Sequence, residues 1–377
     1  MQEKIWLSPP HMSGNEQKYI QLAFDENYIA PVGSNLIGFE NELGQYLGVP
    51  NVLMLTSGTS AIHTAMMVLG IKDGDEVIAP SFTFAACVNP IIYQRALPIL
   101  VDSDTESWNM NPELLEKAIS DRIKLGKKPK AIVVVHLYGM PAKMKSLREI
   151  ANKYQIPIIE DAAEALGSEF EGQRCGTLGD LSIISFNGNK IITTSGGGAL
   201  ISRNKEYIVR ARFLATQAKD DAPHYQHSEI GYNYRMSNIV AGIGRGQLKV
   251  IEDRIKIRRA NHDYYCHKLE NLPGINLLKE RPGAFSNYWL TTILVNPELT
   301  GGKTREDIRL VLEKENIESR PLWKPMHLQP VFAHCPAYVD GTSEKLFDTG
   351  LCLPSGSNLT QEQKERIVAV ILQVLNQ

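Results

Sequence analysis

The chain has 377 residues, 43% of them hydrophobic and 22% charged. These are the values of a soluble globular protein, and they exclude a disordered, collagen-like or coiled-coil chain. Lys+Arg total 40 against Asp+Glu 42, for a net charge of −2, so no whole-chain basic field draws in nucleic acid.

At roughly 150 residues per domain, the length predicts two domains or a large one with a smaller partner. No stretch approaches the ~20 apolar residues of a membrane span. The opening MQEKIWLSPPHMSG holds no apolar run of signal-peptide length. The five cysteines (Cys87, Cys175, Cys266, Cys335 and Cys352) are scattered and form no C-x-x-C pair, which is neither a disulfide framework nor a zinc ribbon. They read as reduced thiols packed as small hydrophobes. A cytoplasmic protein without a metal centre is the expectation.

Short apolar runs predict strands at 51–55, 76–79, 97–101, 131–135, 156–160, 182–186 and 198–201. An apolar-periodic segment follows Ser57-Gly58-Thr59-Ser60 to about Leu69, and a charged helix is expected from about Lys143 to Tyr154. Near-continuous Val/Ile/Leu runs bury both strand faces, the habit of a mostly parallel sheet between helices. From about Asn238 a long helix is predicted to Leu272, ended by Pro273-Gly274. A strand at 288–295, a helix at about 304–315, a strand-like 317–322 and a final helix from Thr360 to about Leu375 follow. Thr360 with Gln363 has the spacing of a capping box. The expectation is a large α/β domain over 1–245 and a small α+β domain over 246–377.

Ligands of such sheets sit beyond the carboxyl ends of the strands. That rule selects Ser57-Gly58-Thr59, Phe82-Thr83-Phe84, His136 to Tyr138, Asp161, and Asn187 to Lys190. Lys190 stands in an otherwise apolar, glycine-rich neighbourhood, where desolvation favours the neutral amine that forms Schiff bases. A surface lysine in a turn fits the same local residues. Asp161 ends a buried strand and needs a partner. A protonated pyridine nitrogen is one; a helix cap or an arginine is another. Gly58, Thr59 and Ser60 open a helix whose N–H groups suit a phosphate, or are ordinary capping residues. Ser185 adds a hydroxyl, and Phe84 offers a stacking ring or a core side chain. The run Gly196-Gly197-Gly198 lacks the G-x-G-x-x-G spacing of a nicotinamide site.

In order and spacing, these pieces resemble the DegT/DnrJ/EryC1/StrS aminotransferases, pyridoxal-phosphate enzymes that aminate nucleotide-linked keto-sugars. The resemblance rests on Leu55-Thr56-Ser57-Gly58-Thr59-Ser60-Ala61, Pro80-Ser81-Phe82-Thr83-Phe84, Glu160-Asp161-Ala162-Ala163-Glu164-Ala165-Leu166-Gly167, Ser185-Phe186-Asn187-Gly188-Asn189-Lys190 and Gly231-Tyr232-Asn233-Tyr234-Arg235-Met236. It extends to Arg320-Pro321-Leu322-Trp323-Lys324-Pro325-Met326-His327. It implies the aspartate-aminotransferase-like fold type I, with pyridoxal 5'-phosphate as cofactor.

Lys190 then matches the Schiff-base lysine, and Asp161 the acid on the pyridine nitrogen. Gly58, Thr59, Ser60 and Ser185 match the phosphate site, and Phe84 the stacking aromatic. Asn233 matches an asparagine that reaches the cofactor phosphate of a neighbouring subunit, which implies a homodimer with shared sites. Arg235 and His327 are expected to touch the nucleotide sugar. Glu164 replaces a commoner Gln beside the cofactor's phenolic oxygen, and Gly197 stands where many members carry an acid. The likeness to the exopolysaccharide branch implies a UDP-linked 2-acetamido-2,6-dideoxy-hexos-4-ulose and glutamate as substrates. The same scaffold also supports 3-amination or amination of a keto-cyclitol. A non-catalytic sensor of cofactor or sugar is the reading from another class.

Overall fold

The computed structural model describes residues 3–376. All seven strands expected before residue 202 form, and they share one eight-stranded sheet. Its order is Val52–Leu55, Gly198–Ile201, Leu181–Ser185, Ile158–Asp161, Ala131–Val135, Glu76–Pro80, Leu97–Val101 and Ala337–Tyr338. Gly198–Ile201 runs antiparallel to both neighbours; every other pairing is parallel.

Strand periodicity divides the core between the two faces of this sheet. In Ala131–Val135 the side chains of Ile132 and Val134 join one apolar cluster with Leu115, Ile119 and Leu147. Those are contributed by the helices Pro112–Lys124 and Met144–Tyr154. Ala131, Val133 and Val135 join the opposite cluster with Ile62 and Ala65 of the helix Gly58–Val68. Burial of both faces explains why these strands read as unbroken apolar runs.

One polar group within this core is structural. The Glu160 carboxylate accepts from His136 Nε2 at 2.8 Å and from the N–H groups of Gly176, Leu178 and Gly179. Ser182 Oγ donates to it as well. His136 Nδ1 in turn accepts the Ala142 N–H at 3.0 Å. His136 is therefore consumed by packing, although it follows a strand as the site residues do.

Toward the C-terminus, Ile275–Leu277, Thr291–Val295, Gly350–Leu353 and Arg320–Pro321 form a four-stranded antiparallel sheet. It packs with the helices Arg305–Lys314 and Gln361–Leu375 around Ile293, Leu312, Leu351 and Ile371. Thr360 and Gln363 cap the last helix reciprocally, as their spacing predicts. Segments cross the 245/246 division in both directions: Ile5 packs in the C-terminal core, and Ala337–Tyr338 extends the large sheet.

Three expectations are corrected. The long helix is two, Asn238–Leu248 and Ile251–Leu269, because Val250 at φ −115°, ψ 14° leaves the helical region. The break lets the first helix pack on Glu16–Asp25 while the second reaches the C-terminal core. The strand at 288–295 begins only at Thr291, since Tyr288 adopts φ 45°. The strand-like 317–322 reduces to Arg320–Pro321, with Ile317 bridging Ile5. No helix among the described residues is long and apolar enough to cross a membrane.

Candidate active site

Beyond the carboxyl ends of the large-sheet strands lies a cavity of about 270 Å³. Gly58, Thr59, Phe84, Asp161, Glu164, Ser185 and Lys190 all line it. Four separate strand ends thus deliver the predicted residues to one place.

The helix Gly58–Val68 presents its N-terminus to the cavity. Ser57 is the cap: its Oγ accepts the Ser60 N–H and Ser60 Oγ accepts the Ser57 N–H, each at 3.0 Å. Ser60 is therefore occupied by capping and lies outside the lining, where Ser57 stands instead. The N–H groups of the first turn have no carbonyl partner within their own helix. They and the helix dipole make this end an anion site. A Cβ on Gly58 would stand 3.2 Å from Ser185 Cβ. The close approach seats the Ser185 hydroxyl beside the helix end. A Cβ on Gly198 would meet the Ser57 carbonyl carbon at 2.4 Å, so only glycine lets this strand lie against the turn.

Asp161 is held from two sides. Ala163 N–H donates to Oδ1 and the Cys87 thiol donates to Oδ2, both at 2.9 Å. Both residues are buried. The sequence reading treated every cysteine as a bystander; Cys87 is a partner of the site acid, three residues past Phe84. The signal available was only that Cys87 follows a strand end.

Lys190 Nζ lies 3.4 Å from Glu164 Oε1 and 4.1 Å from the ring centroid of Trp289. Its side chain is 12% exposed. Glu164 Oε2 accepts the Tyr138 N–H at 2.6 Å. Burial pushes the Glu164 carboxyl above the usual carboxylate range, against the pull of the Lys190 ammonium. Phe84 is 51% exposed, and its ring centroid lies 5.2 Å from Trp323. Trp289 and Trp323 both line the cavity, and neither was singled out from sequence. Trp289 was absorbed into a predicted strand, and Trp323 lies in a segment noted only for its resemblance.

Three further predicted residues, besides Ser60, lie outside the lining. Arg235 is buried and bonds Glu40 Oε1 at 2.7 Å and the Met54 carbonyl at 3.1 Å. His327 Nδ1 is 2.6 Å from Ser81 Oγ, and its Nε2 is 3.2 Å from Glu344. Asn233 is exposed and bridges Thr216. Gly197, by contrast, is on the wall: a Cβ there would meet Thr194 Oγ1 at 2.2 Å and Met236 Cε at 2.7 Å, so any side chain there requires both of these side chains to move.

The donor set fits pyridoxal phosphate. A helix end suited to an anion, a twice-anchored carboxylate and a primary amine share one cavity, matching the phosphate, the ring nitrogen and the carbonyl carbon of that molecule. A sterically exclusive glycine contact shapes the phosphate end.

Comparison with known proteins agrees. The DegT/DnrJ/EryC1/StrS aminotransferase family profile matches residues 10–372. The chain is 47% identical over 380 residues to EpsN of Bacillus subtilis (strain 168), named for a pyridoxal phosphate-dependent aminotransferase, covering 100% of this chain and 97% of that protein. It is 35% identical over 374 residues to a GDP-perosamine synthase of Caulobacter vibrioides, covering 99% and 98%. A crystal structure of a DegT DnrJ EryC1 StrS aminotransferase from Brucella abortus superposes with a TM-score of 0.90 at 30% identity, covering 97% and 96%. The large, mostly parallel sheet is that of fold type I. Site and comparisons together place the chain in the DegT/DnrJ/EryC1/StrS aminotransferase family, as a pyridoxal-phosphate-dependent sugar aminotransferase.

Proposed function

We propose that this enzyme aminates C4 of a UDP-linked 2-acetamido-2,6-dideoxy-hexos-4-ulose, with glutamate as donor, in polysaccharide or glycan biosynthesis. The observation that carries the reading is the Lys190 amine inside the cavity, beside Glu164 and over the Trp289 ring. The likeness of the whole chain to EpsN supports the choice of branch.

Pyridoxal phosphate, when bound, supplies the electron sink for the carbon that loses its proton. This chain's own residues do the rest. Gly58, Thr59 and Ser185 hold the phosphate, and Asp161 holds the ring nitrogen cationic. Lys190 Nζ takes a proton at the donor's Cα and, in the second half-reaction, delivers one at C4 of the sugar. Phe84 and Trp323 form an aromatic wall against the cofactor ring and sugar. Arg235 and His327 act from behind this wall, through the Met54 strand and the Ser81 turn respectively. Asn233, exposed on the surface, reaches the phosphate of a second copy in a homodimer.

The test is incubation of the purified protein with UDP-4-keto-6-deoxy-N-acetylglucosamine and glutamate, with the product's structure read by NMR. A 4-amino sugar is expected, and the Lys190→Ala protein is expected to lose both turnover and the visible absorbance of the lysine-bound cofactor. Amination at C3, or turnover of a GDP-linked keto-sugar alone, overturns the substrate assignment. Turnover by Lys190→Ala overturns the lysine's role.

A further inference from the structure

We propose that Cys87 is a positioning residue for Asp161, its thiol fixing the plane of the carboxylate that faces the cofactor. The proposal rests on the reading of Asp161 as the partner of the ring nitrogen.

The geometry is specific. Asp161 closes the strand Ile158–Asp161, and its Oδ1 is anchored by its own chain through the Ala163 N–H. That single bond leaves the carboxylate free to rotate about the Cβ–Cγ axis. The second anchor comes from another part of the fold, the 3-10 turn Ala85–Cys87, through Sγ to Oδ2 at 2.9 Å. Two donors on two oxygens fix the plane. Cys87 itself is steadied by Thr83, whose Oγ1 lies 3.0 Å from Sγ. Burial and the Asp161 charge push the thiol far above its ordinary range, so it stays a donor. A thiol is a weak donor. It therefore orients the carboxylate while drawing little charge from it, which leaves Asp161 basic toward a ring nitrogen.

Cys87→Ala and Cys87→Ser separate this role from packing. Both remove the volume of sulfur, but only serine keeps a donor. Holoenzymes of both are titrated with pH while the visible absorbance is followed, and kcat and KM for glutamate are measured, with Asp161→Asn as reference. Cys87→Ala is expected to shift the midpoint of the absorbance titration and lower kcat about tenfold, the scale of one hydrogen bond to a charged group, with KM little changed. Cys87→Ser is expected to restore the midpoint and most of kcat. If serine and alanine behave alike, the thiol only fills space and the proposal falls. If Asp161→Asn leaves midpoint and kcat unchanged, the reading of Asp161 falls first, and this proposal with it.

Discussion

The indole Nε1–H of Trp289 donates to the Asn189 carbonyl at 2.8 Å, while the same ring lies 4.1 Å from Lys190 Nζ. One side chain from the C-terminal part thus holds both the backbone before the lysine and the lysine's own head group. Ser8 Oγ donates to the same carbonyl at 2.7 Å, and the buried Arg258 donates to Ser8 Oγ and to the Trp289 carbonyl. Trp289→Phe keeps an aromatic face but loses the N–H. Ser8 still satisfies the carbonyl, so folding should survive. The expected loss is roughly threefold to tenfold in kcat, the worth of one neutral hydrogen bond. Steady-state kinetics check it; an unchanged kcat would show that the tether does not position the lysine.

Glu160 gives a stability prediction. Burial alone would raise its carboxyl, but the bonds from His136, Ser182 and the Gly176 N–H outweigh this and hold it below its usual value of 4.5. A lowered folded pKa means stabilisation that is present above the unfolded value and lost as pH falls through the folded one. Glu160→Gln turns an acceptor of several N–H groups into a partial donor, at a cost of about 3 kcal/mol. Denaturant unfolding should show that cost near neutrality and a shrinking difference from the wild type as pH drops below about 4.5. A pH-independent difference would contradict this account.

Glu164 titrates in the opposite sense. Its carboxyl is raised by burial above the usual 4.5. A raised folded pKa means stability that is complete below the unfolded value and is lost as pH rises through the folded one. Glu164→Gln removes that titration. The Tm of the apo variant, measured relative to the wild type, should therefore climb from pH 4.5 toward neutrality. A flat or falling difference would remove the basis for a protonated Glu164.

These residues show what the sequence could and could not reveal. The strand Ala131–Val135 was legible because parallel strands bury both faces and read as apolar runs. Lys190, Asp161, Glu164, Ser185, Phe84 and Gly58 were legible for a related reason, since each ends or shortly follows such a strand and the parallel strands send their carboxyl ends to one side. Trp289 and Trp323 were not, because folding of the later part onto the earlier brings them to the cavity, and no local spacing records that contact. Ala337–Tyr338 pairs with Leu97–Val101 across more than two hundred residues and is too short for any periodicity. Ser60 and His136 mark the converse limit: both follow strands, yet capping and core hydrogen bonds consume them.

Trp323 provides the sharpest test of substrate binding. Its backbone N–H donates to Tyr138 Oη at 2.9 Å, and its ring stacks on Tyr138 at 12°. The indole is thereby fixed in orientation, yet its buried Nε1–H has no hydrogen-bond partner among the described residues. A buried donor left unpaired costs about 1–3 kcal/mol, and a keto-sugar whose binding shifts the lining enough to bring an acceptor to this N–H recovers that cost. Trp323→Phe retains the stacking and the wall against Phe84 but deletes the donor. The keto-sugar then has one contact fewer in both ground and transition states, which raises KM and leaves kcat nearly unchanged. A rise of roughly tenfold in KM for the sugar, with KM for glutamate unaffected, is the expected result. Equal effects on both substrates would mean that the indole serves the cofactor instead, and a fall in kcat alone would mean that it serves the chemistry.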